Sequence, residues 1–217
     1  MSVEPEHEPV KTPRAYDSSR RRDRARQAHN ALLDAALIRF VDQGFTATTI
    51  ESIAADAAVS PATIYKTYGG KSGLVRALCE RALGGVGPVP AEQRSDALQT
   101  SEPDPRKVIQ GWGRLTAEVA PRIAPLLLLL RDAADGDPAA ATLHADLDAA
   151  RHARMRHNAR YLVDGGHTRP GIRLTQATDV LWTYSSPELF DLLVRRRHWS
   201  LRRYSRFIIE AITNALL

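Results

Sequence analysis

Cysteine occurs once in these 217 residues, methionine twice and phenylalanine four times. A lone thiol excludes an intrachain disulfide and fits a reducing compartment. Set beside Leu78 and Ala82 on a predicted helix, Cys79 reads as a buried structural group rather than a redox switch. Long apolar runs are also missing: the longest, from Ile123 to Leu130, is well short of the ~18–20 residues that a membrane span needs. The opening MSVEPEHEPVKTP is acidic and has no apolar core, so no secretory signal is expected and the chain is expected to be cytoplasmic. From Arg106 onward there is no convincing period-two alternation and no hairpin signal, which makes the expected fold all-α.

Catalytic signatures are equally scarce. The sequence has no Gly-x-Ser-x-Gly elbow, no Walker-type loop and no dinucleotide fingerprint after a strand. Gly84, Gly85 and Gly87 follow no strand and open no helix, so they do not read as a nucleotide loop. His144, Asp148 and His152 recur at four-residue spacing, but the angular drift along a helix and the lack of further ligands make them a polar face rather than a metal site. No catalytic residue, cofactor or metal is expected.

What the sequence does have is a stretch, residues 48–74, that reads as two short helices joined by a tight turn. Thr49 is a good N-cap, and Ile50, Ile53, Ala54 and Ala57 then recur on one helical face. Ser60 supplies a second N-cap and Pro61 sits at the first helical position, where its missing N–H costs nothing. Ile64 points back at the first helix, which leaves Pro61, Ala62, Thr63, Tyr65, Lys66 and Tyr68 on other faces. Short side chains and a hydroxyl near the N-terminus of such a helix suit insertion into the major groove of DNA. Tyr65, Tyr68 and Lys71 are placed to reach flanking phosphates, setting register rather than sequence preference.

Charge follows the same geography. The formal net charge is +5, of which residues 14–83 carry about +4 and 171–217 about +3, against an acidic start. Arg20, Arg21, Arg22, Arg24 and Arg26 precede the first helix's buried stripe of Leu32, Leu33, Ala36, Leu37, Phe40 and Val41, and Gly44 ends that helix. Beside a helix-turn-helix, Arg22, Arg24 and Arg26 are candidates for phosphate or minor-groove contact.

These residues resemble the TetR (tetracycline-repressor-like) family, whose N-terminal signature runs from a helix ending in Phe-x-x-x-Gly through Thr, Ile-Ala, Val-Ser, Tyr and Lys-x-x-Leu. The matching residues here are Phe40, Gly44, Phe45, Thr48, Thr49, Ile53, Ala54, Val59, Ser60, Tyr65, Lys71 and Leu74, and the likeness spans residues 28–83. Ala58 stands where the turn commonly carries Gly, and Thr67 and Tyr68 replace the usual His-Phe. The resemblance implies a three-helix head on a helical ligand-binding and dimerisation body. It implies a palindromic DNA operator, bound through Thr48, Thr49, Ser60 to Tyr68 and Lys71 and released by a small-molecule effector, most often as a repressor.

The chain divides accordingly into a disordered tail (1–19), the head with its connecting helix (20–83), a Gly- and Pro-rich flexible connection (84–105) and the body (106–217). A short helix from Ala91 to Leu98 fits inside the connection. In the body, Val108, Trp112, Leu115 and Val119 trace one helix, which Pro121 and Pro125 punctuate before the apolar Leu126 to Leu130. Asp137 and Pro138 open a long helix to about Val163. Thr175 caps another, which Pro187 must kink or restart. The last helix, from Ser200, carries Tyr204, Phe207, Ile208, Ala211, Ile212 and Ala215 on one face and wants a partner.

By the same resemblance, the segments from Thr175 to Arg196 and from Ser200 to Leu217 form a homodimer seam. A mixture of large apolar and polar groups, Trp112, Leu115, Val119, Leu127, Arg131, Leu147, Met155, Tyr161, Trp182 and Tyr184, suits the effector pocket, though it also suits a filled core. The second basic cluster, Arg195, Arg196, Arg197, His198, Arg202, Arg203 and Arg206, reads as solvated charge flanking that seam. The rival functions are an architectural DNA-binding protein without effector and an all-α enzyme.

Overall fold

The computed structural model describes residues 16–85 and 87–217. The first fifteen residues of the expected tail lie outside them, and helix α1, Tyr16–Ala47, takes in the rest. Every regular element among the described residues is helical. Helices α2 (Ile50–Asp56), α3 (Pro61–Tyr68) and α4 (Lys71–Gly84) complete the amino-terminal part. Gly44, at φ +81°, breaks the regular run of α1, and Val41 stands in solvent rather than in the buried stripe. It lies one residue, about 100° of helical rotation, beyond the fully buried Phe40.

The connection is not structureless throughout. Helix α5 spans Ala91–Ser101, about a turn longer than the sequence suggested, and polar clasps join Leu98 in holding it to the body. Arg94 makes a bidentate pair with Glu118 at 2.6 and 2.9 Å. Arg154 reaches Ser95 Oγ at 2.8 Å and Asp96 Oδ1 at 2.6 Å.

Helix α6, Pro105–Ala133, runs unbroken through Pro121 and Pro125, where the sequence suggested punctuation. Each proline forfeits an intrahelical hydrogen bond, but the flanking Ala120, Ala124, Leu126, Leu127, Leu128 and Leu130 are buried, and tertiary packing outweighs the local defect. Gly111 and Gly113, which weaken a helix in isolation, are points of close approach. A Cβ at either would lie 2.3 Å from Leu98 or Ile209, respectively.

Helix α7 (Pro138–Asp164) begins at the expected cap: Asp137 accepts from the amides of Ala139 and Ala140 at 2.9 and 3.1 Å. Helix α8 (Leu174–Tyr184) starts a residue ahead of Thr175, with Arg173 at the cap position and no side-chain cap bond. Ser186 caps the restart α9 (Pro187–Phe190), which passes directly into a π-helical segment, Asp191–Arg196, and then to α10 (Leu201–Leu216), capped by Ser200.

Two cores result. The first joins Leu32, Leu33, Phe40, Phe45, Ile53, Ile64, Leu74 and Leu78 to Leu126, Leu130, Ala140 and Leu143. The second joins Val108, Ile109, Trp112, Ala159, Leu162, Leu181 and Phe190 to Tyr204, Ile208, Ile212 and Leu216. Helices α6 and α7 contribute to both. The apolar face of α10 is thus covered largely by its own chain, with Tyr204, Ile208, Ile212 and Leu216 all under 5% exposed.

Candidate nucleic-acid interface

The turn between α2 and α3 follows from its caps. Thr49 Oγ1 accepts from the Ser52 amide at 3.1 Å and starts α2. At the other end, Val59 N–H reaches Ala54 O at 3.0 Å and Ala58 N–H reaches Ala55 O at 3.2 Å, the paired bonds of a Schellman stop. That stop requires a left-handed residue, and Ala58 supplies it at φ +52°, at about 1–2 kcal/mol of steric cost that glycine escapes. Ser60 then accepts from the Thr63 amide at 3.2 Å and bonds the Thr63 hydroxyl at 2.9 Å.

Ile64 is fully buried and anchors α3. Pro61, Ala62, Thr63, Tyr65, Lys66 and Thr67 are all exposed, so the helix presents a low, polar surface with one aromatic ring. Seven residues from Pro61 to Thr67 rise about 10 Å, a length that fits along the floor of a major groove about 12 Å wide.

Four residues expected at the interface have internal roles. Thr48 is buried at 1% exposure, its hydroxyl 2.7 Å from Gly44 O and 3.1 Å from Arg39 O; it closes the broken end of α1 and does not face a groove. Thr49 is exposed, but its oxygen is engaged in the cap. Lys71 turns its ammonium onto Phe45 O at 3.0 Å and sits 4.7 Å from the centroid of the Phe45 ring, so it ties α4 to the end of α1 instead of standing free for phosphate. Tyr68 is half-buried, stacked on His29 with its hydroxyl 2.7 Å from His29 Nδ1, and burial raises its phenol above the ordinary range. Arg22, Arg24 and Arg26 are exposed on the early turns of α1, with Arg26 paired to Asp23 at 3.0 Å.

Two supports escaped the sequence. His29 lies one turn before Leu33, a spacing that places it on the same side of α1 as the buried stripe. Arg39 grips Asp56 in a bidentate pair, one bond at 2.8 Å, locking α2 to α1. Those hydrogen bonds hold the Asp56 carboxyl below the usual carboxylate range. Nothing local marks either pair, because the partners are 39 and 17 residues apart.

Residues 32–78 match the family described as bacterial regulatory proteins, tetR family. The match covers the head, and over those residues the chain is similar to the TetR family. It is 37% identical over 71 residues to an uncharacterized HTH-type transcriptional regulator, YvkB, of Bacillus subtilis (strain 168). That similarity takes in 33% of this chain and spans 38% of the relative's length. The TetR-type head and the helices behind it also share a fold with NalD, the secondary repressor of the MexAB-OprM multidrug efflux pump in Pseudomonas aeruginosa. The two agree at a TM-score of 0.70 and 17% identity, over 90% of this chain and 98% of that one. FadR from Bacillus subtilis, solved with stearoyl-CoA, gives 0.68 at 14% identity, over 87% of this chain and 100% of that one.

Behind the TetR-type head, the ten residues expected to line a pocket stand in several settings. A cleft of about 570 Å³ opens between α6 and α10, lined among others by Arg114, Ala117, Arg206 and Ile209, and one of about 560 Å³ opens beside His29 and Tyr68. Neither touches any of the ten. Trp112 and Leu127 are core residues, Trp112 lies edge-on to Tyr161, and Arg131 pairs at the surface with Asp132 and Glu188. Trp182 lies under the Arg151 guanidinium, 4.8 Å from ring centroid to carbon. The indole N–H groups of Trp112 and Trp182 are buried with no hydrogen-bond partner among the described residues. Among the described residues there is no cluster of three potential metal ligands and no helix long and apolar enough to cross a membrane.

Proposed function

We propose that the protein is a ligand-responsive transcriptional regulator, a repressor that binds a palindromic operator as a homodimer. Residues 20–83 act as the DNA-binding head and 106–217 as the regulatory and dimerising body. The observation that carries this is the exposed face of α3, held proud of the TetR-type head by one buried isoleucine and two local caps. Ser60, Pro61, Ala62, Thr63, Tyr65 and Lys66 meet the DNA directly. Thr48, Thr49, Tyr68 and Lys71 serve the same interface by fixing the pose of α3, and the arginines at the start of α1 add phosphate contact.

A single reading helix covers few base pairs, so two heads related by a two-fold axis are needed for specificity. The half-buried Phe207, Ala211 and Ala215 of α10, with the exposed Leu192 and Leu201, are what remains for a seam with the second copy. Effector binding in the body is supported by the two orphaned indoles, since a buried donor without an acceptor costs about 1–3 kcal/mol and an acceptor-bearing ligand would relieve it. The solved relatives are consistent with such a role: FadR is seen with stearoyl-CoA and NalD is described as a repressor.

The test is selection of bound sequences from a random duplex library at fixed salt, with a Thr63→Ala/Lys66→Ala variant beside the full chain. A regulator recovers one inverted repeat at a preference of about 10³-fold or more over bulk DNA, and the variant loses that preference. The architectural alternative predicts affinity that depends on salt but tolerates any sequence.

A further inference from the structure

Helices α6 and α10 approach closely at Gly113, where a Cβ would lie 2.3 Å from Ile209 and 3.4 Å from Ser205 O. One turn further along α6 the small Ala117 lines the cleft of about 570 Å³ between the two helices. Leu201 and Ile209 extend its apolar surface, and the half-buried Ser205 adds a hydroxyl.

The rim is cationic. Arg114 of α6 and Arg202 and Arg206 of α10 border the cleft and are exposed, and none of the three makes an ion pair among the described residues. Two carboxylates share the lining, Glu118 and Glu210. Glu118 is committed to its bidentate pair with Arg94. The end of α4 closes on that pair, since a Cβ at Gly85 would lie 2.5 Å from Arg94 Nη2 and 2.6 Å from Glu118 Oε1. Three guanidinium groups therefore face a single carboxylate without an ion pair among the described residues, Glu210.

We propose that this cleft binds a small amphipathic anion. Its apolar body lies on Ala117, Leu201 and Ile209, and its carboxylate or phosphate head is held by Arg114, Arg202 and Arg206. A bare anion gains little from exposed charges that salt screens, and a neutral apolar molecule gains little from an open cleft. A molecule carrying both parts uses both surfaces, and guanidinium groups match the oxygens of such a head in paired hydrogen bonds. The site is distinct from the orphaned indoles, because neither Trp112 nor Trp182 lines it. Phe207, Ala211 and Ala215, offered above as a seam between copies, lie on a different face of α10 from Arg202, Arg206 and Ile209.

The experiment follows backbone amide shifts of the isotopically labelled full chain during titration with octanoate, octyl phosphate, octan-1-ol and inorganic phosphate. Octanoate, octyl phosphate or both should saturate one site per protomer with a dissociation constant on the order of 1 mM or below. The largest shifts should fall at Ala117, Ser205 and Ile209. Octan-1-ol and inorganic phosphate should bind at least about tenfold more weakly, as should both octyl anions to an Arg114→Gln/Arg206→Gln variant. Arg156→Gln/Arg160→Gln removes equal charge from exposed positions outside the lining and should keep the wild-type affinity. Equal binding of octan-1-ol, equal binding of inorganic phosphate, shifts centred elsewhere or equal losses in the two variants would each overturn the proposal. So would a wild type that shows no saturable shift while Arg114→Gln/Arg206→Gln changes the oligomeric state in sedimentation, which would assign these arginines to a contact between copies. No DNA is present in these titrations, so their outcome is separate from that of the regulator reading.

Discussion

At the scale of single residues, two positions expose the balance of forces most directly. Ala58 holds the left-handed conformation that ends α2, so replacing it by glycine removes steric strain of about 1–2 kcal/mol and adds back about 0.5–1 kcal/mol of unfolded-chain entropy. The Ala58→Gly variant should be more stable by about 0.5–1 kcal/mol, seen as a higher midpoint in urea with an unchanged slope. Cys79 is 1% exposed and burial pushes its thiol up to about 12. It should resist an aromatic disulfide reagent at pH 8 in the native protein and react only as the chain unfolds, so reaction and loss of helix should track one another in denaturant.

At the scale of elements, Lys71 separates a structural from a binding role. Its ammonium holds the carbonyl and the ring of Phe45, and removing a hydrogen bond from a charged group costs about 1.5–3 kcal/mol, reduced here by partial exposure. Lys71→Met should lower stability by roughly 1–2 kcal/mol while leaving the salt dependence of DNA binding nearly unchanged. A shift in the slope without loss of stability would return Lys71 to the phosphates. The caps at Thr49, Ser60 and Asp137 were legible in the sequence because each acts within three residues of itself. Lys71 with Phe45 and Tyr68 with His29 were not, since 26 and 39 residues separate the partners. The unbroken α6 was hidden for a related reason: its prolines announce a stop locally, and only the burial on either side of them overrules it. The pocket candidates were chosen by composition alone, which does not distinguish a lined cavity from a filled core.

At the scale of the whole molecule, carboxylate clasps tie helices distant in sequence. Asp56 is lowered chiefly by hydrogen bonding to Arg39, and Asp96 chiefly by hydrogen bonding to Arg154. A depressed carboxylate contributes stability that is present in full above its unfolded value, 3.8 for both groups, and is lost as pH falls through the folded value. Stability should therefore be flat in these two groups from neutrality to about pH 5 and decline below the unfolded value. Asp56→Asn and Asp96→Asn should each flatten the acid limb of a urea-midpoint profile. An acid limb identical to the wild type in both variants would show that other groups govern it.

Because α6 and α7 place Leu126, Leu130, Ala140 and Leu143 beneath the reading apparatus, the first eighty-odd residues are not a detachable cartridge. Cut at Gly84 and grafted to another carrier, they would show bare apolar flanks where those four side chains had been and would tend to clump. A working chimera must splice within the middle of α6 and bring the opening turns of α7 along.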